Sequence, residues 1–223
     1  MVARVLLLVV LFVSGAEAIP FANGTYLKIA VDNCIAYNNT GVACCGPTYD
    51  SGCGDPSTAR CGVAGCEEMP SWDVSLVTNM GSMFYYASAF IADISGWNTS
   101  SVTDMTFMFY GASAFNADIS GWDTSTVTDM EYMFSKASAF NADISAWDTS
   151  SVEYMTGMFY KALSFNADIS GWDTSSVTNM RSMCYRASAF NADISGWNTS
   201  SVTNMRSMFD GCLLYTSPSP RDS

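Results

Sequence analysis

Between residues 115 and 137 two hydrophobic periodicities follow one another. Phe115, Ala117 and Ile119 alternate with Asn116, Asp118 and Ser120, the period-2 pattern of a strand with one buried face. Val127, Met130, Met133, Phe134 and Ala137 then follow helical steps behind Thr124 and Ser125, whose hydroxyls suit the free amides of a helix start. The alternation predicts a short strand and the stripe a short helix. The same register returns every 25 residues, at Trp72, Trp97, Trp122, Trp147, Trp172 and Trp197, at Met83, Met108, Met133, Met158, Met183 and Met208, and at Phe90, Phe115, Phe140, Phe165 and Phe190. A period of this size marks an array whose units bury their apolar faces only against one another. Strand, turn, helix and turn, returning by right-handed crossovers, predict an α/β solenoid of short parallel strands and short helices.

The array occupies residues 70–211, about five and a half turns, and its flanks differ from it. Residues 1–18 read as a cleaved secretory signal, with Arg4, an apolar run from Val5 to Val13 and Ala16-Glu17-Ala18 at the end. The competing reading, a membrane anchor, needs about 20 apolar residues, and no segment of the chain supplies them. Residues 19–69 read as a cap: Leu27, Ala30, Val31, Cys34 and Ile35 lie at helical spacing, and a Gly-, Cys-, Asn- and Pro-rich stretch follows. Cys34, Cys44, Cys45, Cys53, Cys61 and Cys66 predict a disulfide-rich capping module in an oxidising compartment, although their pairing is open. A separate ligand-binding domain is the alternative for this segment. Residues 212–223 break the register and read as an adapter-derived, non-native tail; a genuine terminal cap competes with that reading.

Charge and composition narrow the functions. Nine Lys and Arg stand against 21 Asp and Glu, a net charge of −12, which argues against nucleic acid as a partner. The chain has no histidine, so triad catalysis and imidazole metal ligation are closed to it. Nearly every polar residue of the array is copied into each unit, whereas an active site needs different groups converging at one place. The expectation is therefore no enzyme and no cofactor. The repeated Asp93, Asp118, Asp143, Asp168 and Asp193 admit two readings: a column of carboxylates holding Ca²⁺ or another divalent cation, or side chains each fixing its own turn. The tryptophans and the Met83 column likewise read as repeat core, against a sugar-stacking face for the indoles. Asn23, Asn38, Asn98 and Asn198 head N-x-S/T sequons, glycosylation candidates in a secreted eukaryotic protein. Identity varies from unit to unit at Tyr85, Tyr86, Phe107, Tyr110, Glu131, Tyr132, Lys136, Tyr154, Tyr160, Lys161, Arg181, Arg186 and Arg206, where a partner could read it.

The motif F-N-A-D-I-S-G-W-[DN]-T-S-S-V-T-[DN]-M-x-x-M-F-x-x-A resembles the repeat of the BspA-like leucine-rich-repeat surface proteins, and the likeness covers residues 72–211. Departures are Cys184 for Phe, Ile91 for Asn, Ala146 for Gly and Leu163 for Ser. The resemblance implies a leucine-rich-repeat-like solenoid, a place outside the cell or on its surface, and adhesion to an extracellular protein or glycan. It carries over no catalytic residue. Small-ligand or cation binding through the Asp and Ser/Thr columns is the alternative function.

Overall fold

The structure, a computed structural model, describes residues 21, 23–37, 39–41 and 69–212. The expected signal, Cys44, Cys45, Cys53, Cys61, Cys66, Asn38 and residues 213–223 of the tail lie outside the described residues.

One helix, α1 (Gly24–Tyr37), precedes the array. Asn23 starts it: its side-chain oxygen accepts the Thr25 and Tyr26 amides at 3.0 and 3.2 Å, satisfying donors that no helical carbonyl can reach. Leu27, Ala30, Val31 and Cys34 are fully buried and belong to the same hydrophobic cluster as the array. Phe21 packs on Trp72 at 5.6 Å between ring centroids, and the Phe21 amide donates to the Asp73 carbonyl. The helix thus covers the apolar end of the first coil. After the 3₁₀ turn Met69–Ser71, the array begins.

The array is not the expected α/β solenoid. Among the described residues there is no strand, and no helix follows Met69–Ser71; the leucine-rich-repeat-like alternation of strand and helix does not form. What forms is a stack of 25-residue coils built of tight turns. Through the expected helix, successive turns close by bonds over three residues: the amides of Met133, Ser135 and Ala137 donate to the carbonyls of Met130, Tyr132 and Phe134. The amides between them leave the coil. Those of Met130, Tyr132, Phe134 and Lys136 donate to Tyr154, Thr156, Met158 and Tyr160 in the next coil, at 2.7–3.0 Å. An α-helix needs every amide for its own chain, so half of them spent between coils excludes it. Left-handed residues enforce the path: Tyr132 and Lys136 have φ of 55° and 61°, and the same two phases are left-handed in every coil, from Ser82 and Tyr86 to Ser207 and Gly211. A turn closed every three residues still puts Met130, Met133, Phe134 and Ala137 inside, which is why the pattern imitates a helix.

The expected strand fails for a different reason. Burial alternates as its pattern requires, Phe115 and Ile119 inside and Asn116 and Asp118 outside, but side chains join the coils here. The Trp147 indole N–H donates to the Ile119 carbonyl at 3.1 Å, and the Asn141 amide donates to the side-chain oxygen of Asn116 at 2.7 Å. Parallel pairing occurs elsewhere, as single-residue bridges running Asn79, Asp104, Asp129, Tyr154, Asn179 and Asn204.

The core is a set of columns. Phe84, Phe109, Phe134 and Phe159 stack at 5.1–5.9 Å, and a second phenylalanine column, Phe90 to Phe190, stacks at 5.9–6.1 Å. Within a coil the two columns touch, at 3.7 Å for Phe134 and Phe140. The indoles form a third file, stacked nearly parallel at 6.4–6.5 Å, and each of Trp97 to Trp197 donates its N–H to a carbonyl of the preceding coil, at 2.9–3.1 Å. At Cys184 the first column is interrupted, and Phe209 stacks instead on Phe190 at 6.2 Å.

Candidate functional site

Because the coils superpose phase on phase, each position of the repeat becomes a column, and the columns sort into two kinds. The copied ones are spoken for. Asp93 accepts the Ser95 hydroxyl and amide, and Asp143 those of Ser145; Asp118, Asp168 and Asp193 accept the amide and hydroxyl two residues on. These bonds hold the carboxyls below the usual carboxylate pKa, although like carboxylates one coil away push some of them back up, as Asp118 does to Asp93. Among the described residues no group of three or more His, Cys, Asp or Glu side chains comes together that could hold a metal ion. Asp123, Asp148 and Asp173 fix the next turn in the same way, again held below the usual value first by the serine hydroxyl. The indoles are shut inside, with no more than 9% of any of them exposed. They offer no face to a sugar.

The glycosylation candidates differ in setting. Asn98 and Asn198 are exposed, each accepting the amide two residues on. The Thr99 hydroxyl of the first sequon is buried and donates to the Asp123 carbonyl at 2.9 Å. Asn23 is exposed and is the residue that starts α1.

The thirteen variable positions from Tyr85 to Arg206 fall together. They lie on one strip, at the phase of residues 79–86, over the parallel bridges. Its upper part is aromatic. Tyr85 and Tyr86 meet edge to face at 4.8 Å, Tyr85 stacks on Tyr110 at 5.1 Å, and Phe107 stacks on Tyr132 at 4.9 Å. Tyr85, Tyr86 and Tyr154 are 47%, 55% and 40% exposed, which is costly for rings unless something covers them. Further along, Tyr160 and Tyr185 stack at 4.8 Å, with Lys161 and Arg186 each 5.3 Å from a ring centre. Lys136 bridges the two regions: its ammonium donates to the Tyr110 hydroxyl at 2.5 Å and sits 4.7 Å over that ring. The same contact lowers the Tyr110 pKa and raises that of Lys136.

Two glycines in the strip seat rings. Tyr86 lies on Gly111 and Tyr132 on Gly157, where a Cβ would come within 2.7 and 2.4 Å of ring carbons; both glycines are left-handed, at φ 72° and 57°. Near the middle, Ser135 Oγ and Thr156 Oγ1 are buried without a hydrogen-bond partner. For Thr156 the cause is local. The Thr106 hydroxyl donates to Asp104 at 2.5 Å, but the corresponding residue before Thr156 is Tyr154, which has no carboxylate to offer.

Sequence reasoning did not find Asp104 and Asp129, the strip's carboxylates on the bridge column, because Asp and Asn there look like turn residues. They are turn residues as well: Asp104 accepts the Thr106 amide and Asp129 the Glu131 amide, each at 2.8 Å. Asp129 is partly buried, and desolvation raises its pKa. The side-chain ladder of Asn116, Asn141 and Asn166, whose oxygens take the amides of Asn141, Asn166 and Asn191 in the next coil at 2.6–2.7 Å, was also missed. Its signal was the Asn copied after each Phe.

A family model described as Mycoplasma protein of unknown function, DUF285, matches residues 59–156 and 141–219. No curated protein and no solved structure matches the chain. No helix among the described residues is long and apolar enough to cross a membrane.

Proposed function

We propose that this chain, which belongs to the DUF285 family, is an extracellular adhesion and protein-interaction scaffold that recognises its partner along the strip at phase 79–86 and has no catalysis of its own. One observation carries the reading: side-chain identity varies most on this strip, whereas around the rest of the coil it is largely copied, with departures such as Ile91, Ala146, Glu153 and Leu163. The copied side chains meet fixed demands of stacking, so they leave little freedom for recognition. The strip is released from those demands because its backbone makes the bonds between coils. All five Lys and Arg residues of the array, Lys136, Lys161, Arg181, Arg186 and Arg206, stand on it among the exposed tyrosines. Tyrosine and arginine are the residues that anchor protein interfaces. A row of coils also sums weak contacts by avidity. The resemblance of the repeat to BspA-like surface proteins supports the extracellular, adhesive part of the reading.

Beads carrying the chain, tested on surfaces coated with matrix proteins, with neutral and sulfated polysaccharides, and with the chain itself, decide the matter. Binding should be lost in Tyr85→Ala/Arg181→Ala/Arg186→Ala, kept in Asp118→Asn/Asp143→Asn, and kept in chelator. Absence of binding to all these surfaces, or binding that ignores the strip substitutions, overturns the proposal.

A further inference from the structure

All five cations of the array stand on the strip, in two columns. Lys136, Lys161 and Arg186 share one phase in three successive coils; Arg181 and Arg206 share a second phase, five residues earlier, in the coil of Arg186 and the next. The chain carries 21 Asp and Glu against nine Lys and Arg, yet among the described residues the one ion pair is Lys28 with Asp32 in α1. The five cations are thus left unpaired, at a spacing of about 4.8 Å from coil to coil, where like charges repel. Rings order three of them without neutralising them: Lys136 lies 4.7 Å over Tyr110, and Lys161 and Arg186 lie 5.3 Å from the centres of Tyr160 and Tyr185. Between the columns the same coils carry small residues. Phe107 and Tyr132 give way to Gly157, Ser182 and Ser207. The Tyr132 ring lies over Gly157, so a low track runs on from it past Ser182 and Ser207, with cations to either side.

We infer that the strip's ligand is a linear acidic polysaccharide bearing one carboxylate on every ring, laid along this track parallel to the axis of the array; this rests on the strip being the recognition face. Unpaired guanidinium and ammonium groups in a row call for a polyanion, and a carboxylate accepts two parallel hydrogen bonds from a guanidinium. Period selects the polymer. Successive rings of an extended polyuronate turn their carboxylates to opposite sides, so carboxylates on one side recur every second ring, close to two coil steps of roughly 9.6 Å. Lys136 and Arg186 on one side and Arg206 on the other then meet three of four successive rings, and Lys161 and Arg181 take a chain shifted by one ring. An extended peptide fits less well. Its side chains recur on one side every ~6.7 Å, neither one coil step nor two. Most of the strip's amides and carbonyls are also already paired, which leaves no main-chain edge for a peptide to join.

The net charge of −12 does not forbid this. The copied carboxylates of the Asp118 and Asp123 columns lie on other turns of the coil, whose interior is the aromatic core. Packed layers of backbone stand about 10 Å apart, whereas charges are screened over about 8 Å at physiological ionic strength. On the strip itself Asp129 and Glu131 stand in the coil of Lys136 and Asp210 in that of Arg206, so carboxylates bound the track at both ends; Glu153 stands beside Tyr154, outside the cation columns. Four coils give weak binding, because exposed ion pairs contribute little singly. Low affinity suits a polymer that many displayed copies grip at once.

Fluorescence anisotropy of an end-labelled galacturonate oligomer, with a carboxylate on every ring, titrated with the full chain in chelator at low salt, tests this. Binding should weaken about tenfold in Arg181→Gln/Arg186→Gln and at least as much in roughly 0.5 M salt, and should be unchanged in Asp118→Asn; thermal melts check that each variant folds. Adding Ile91→Lys to Arg186→Gln restores the net charge at an exposed site off the strip and should recover nothing, whereas Arg186→Lys should keep most of the affinity. A hyaluronan oligomer of equal length, with a carboxylate on every second ring, reaches one column only and should bind at least about threefold more weakly. A glutamate oligomer of equal charge should also bind more weakly. No binding of the galacturonate oligomer, binding indifferent to the strip substitutions, recovery by Ile91→Lys, or hyaluronan or glutamate binding as tightly overturns the inference. If the galacturonate oligomer fails yet the strip substitutions abolish bead binding to a protein-coated surface, only the polysaccharide falls. If bead binding ignores the strip, the recognition reading falls with it.

Discussion

Replacing Phe134 by alanine should do more damage than the same change at the end of its column. Phe134 is fully buried, stacked on Phe109 at 5.5 Å and Phe159 at 5.9 Å, and in contact with Phe140 at 3.7 Å and Trp147 at 6.1 Å. Phe→Ala in a well-packed core costs about 3–5 kcal/mol, and each aromatic pair is worth roughly 0.5–1.5 kcal/mol beyond area burial. With partners on both sides and across the coil, the upper part of that range is expected. Phe209 is only partly buried and stacks on Phe190 at 6.2 Å, so Phe209→Ala should cost about 1–2 kcal/mol by the area it removes from water. Urea unfolding followed by tryptophan fluorescence and circular dichroism measures both. The indoles are informative reporters, since Trp72, Trp97 and Trp122 lie on one side of Phe134 and Trp147, Trp172 and Trp197 on the other. Neighbour contacts alone couple the two halves of a linear array, so Phe134→Ala should also broaden the transition and lower its apparent m. A loss below about 1 kcal/mol at Phe134, or one no larger than at Phe209, refutes the columnar account of stability.

Gly157→Ala should destabilise by at least about 1 kcal/mol, because it forces a Cβ into a left-handed residue under the Tyr132 ring, whereas Gly121→Ala meets nothing within 4 Å and should be close to neutral; paired thermal melts separate them. Cys184→Phe should raise stability by about 1–2 kcal/mol, restoring the column between Phe159 and Phe209, and a lower melting temperature would show that the gap has already closed around Cys212. Hydrogen bonds from serine hydroxyls and amides depress the pKa of Asp93, Asp118, Asp143, Asp168 and Asp193. Their contribution is therefore present above the unfolded value near 3.9 and lost as pH falls through the lower folded values, which a melting series below about pH 4 should record. Asp129 has the opposite sign: desolvation raises its pKa, so its folded state favours the proton, and this advantage disappears as pH rises through the folded value. Asp129→Asn should raise the melting temperature at neutral pH and leave it little changed in acid, since Asn79, Asn179 and Asn204 show that asparagine serves the same turn.

The period, the inward residues and the variable positions were legible in the sequence; the backbone path was not. Inwardness follows from composition: Met130, Met133, Phe134 and Ala137 have nowhere to go but the core whatever the chain does between them. Path depends on which amide pairs with which carbonyl. The steps of a helix stripe cannot distinguish a helix from turns that close every third residue and give the alternate amide to a neighbour. The decisive signal lies in conformations that side chains barely advertise. Phe107, Tyr132, Lys136, Lys161 and Arg186 are left-handed without being glycine, at a local cost of about 1–2 kcal/mol each, and only the glycines at 111, 157 and 211 hint at the position. At the expected strand the alternation correctly gave the buried face, but the bonds between coils come from the Asn116 column and from the indole N–H groups, so a pattern of burial could not reveal the missing ladder.

The division of labour between the two parts of the coil explains why recognition and folding can be separated in this chain. In the copied part, side chains perform most of the joining, beside a few backbone bonds such as that from the Ala139 amide to the Ser113 carbonyl: asparagine oxygens, indole N–H groups and the hydroxyls of Thr99, Thr124, Thr149 and Thr174 all reach into a neighbouring coil. A substitution there removes a bond between coils and leaves a buried carbonyl or amide unsatisfied, at about 1–3 kcal/mol, so those columns stay uniform. At phase 79–86 the backbone joins the coils, and side chains such as Tyr85, Lys161 and Arg181 are released from that duty. Even within the strip the freedom is limited where a ring lies on a glycine, as Tyr132 does on Gly157. A change at such a seat should alter stability, whereas a change at Arg181 or Arg206, both exposed, should alter binding alone. Whether those two effects come apart is a direct reading of which part of the coil folds the chain and which part it presents to a partner.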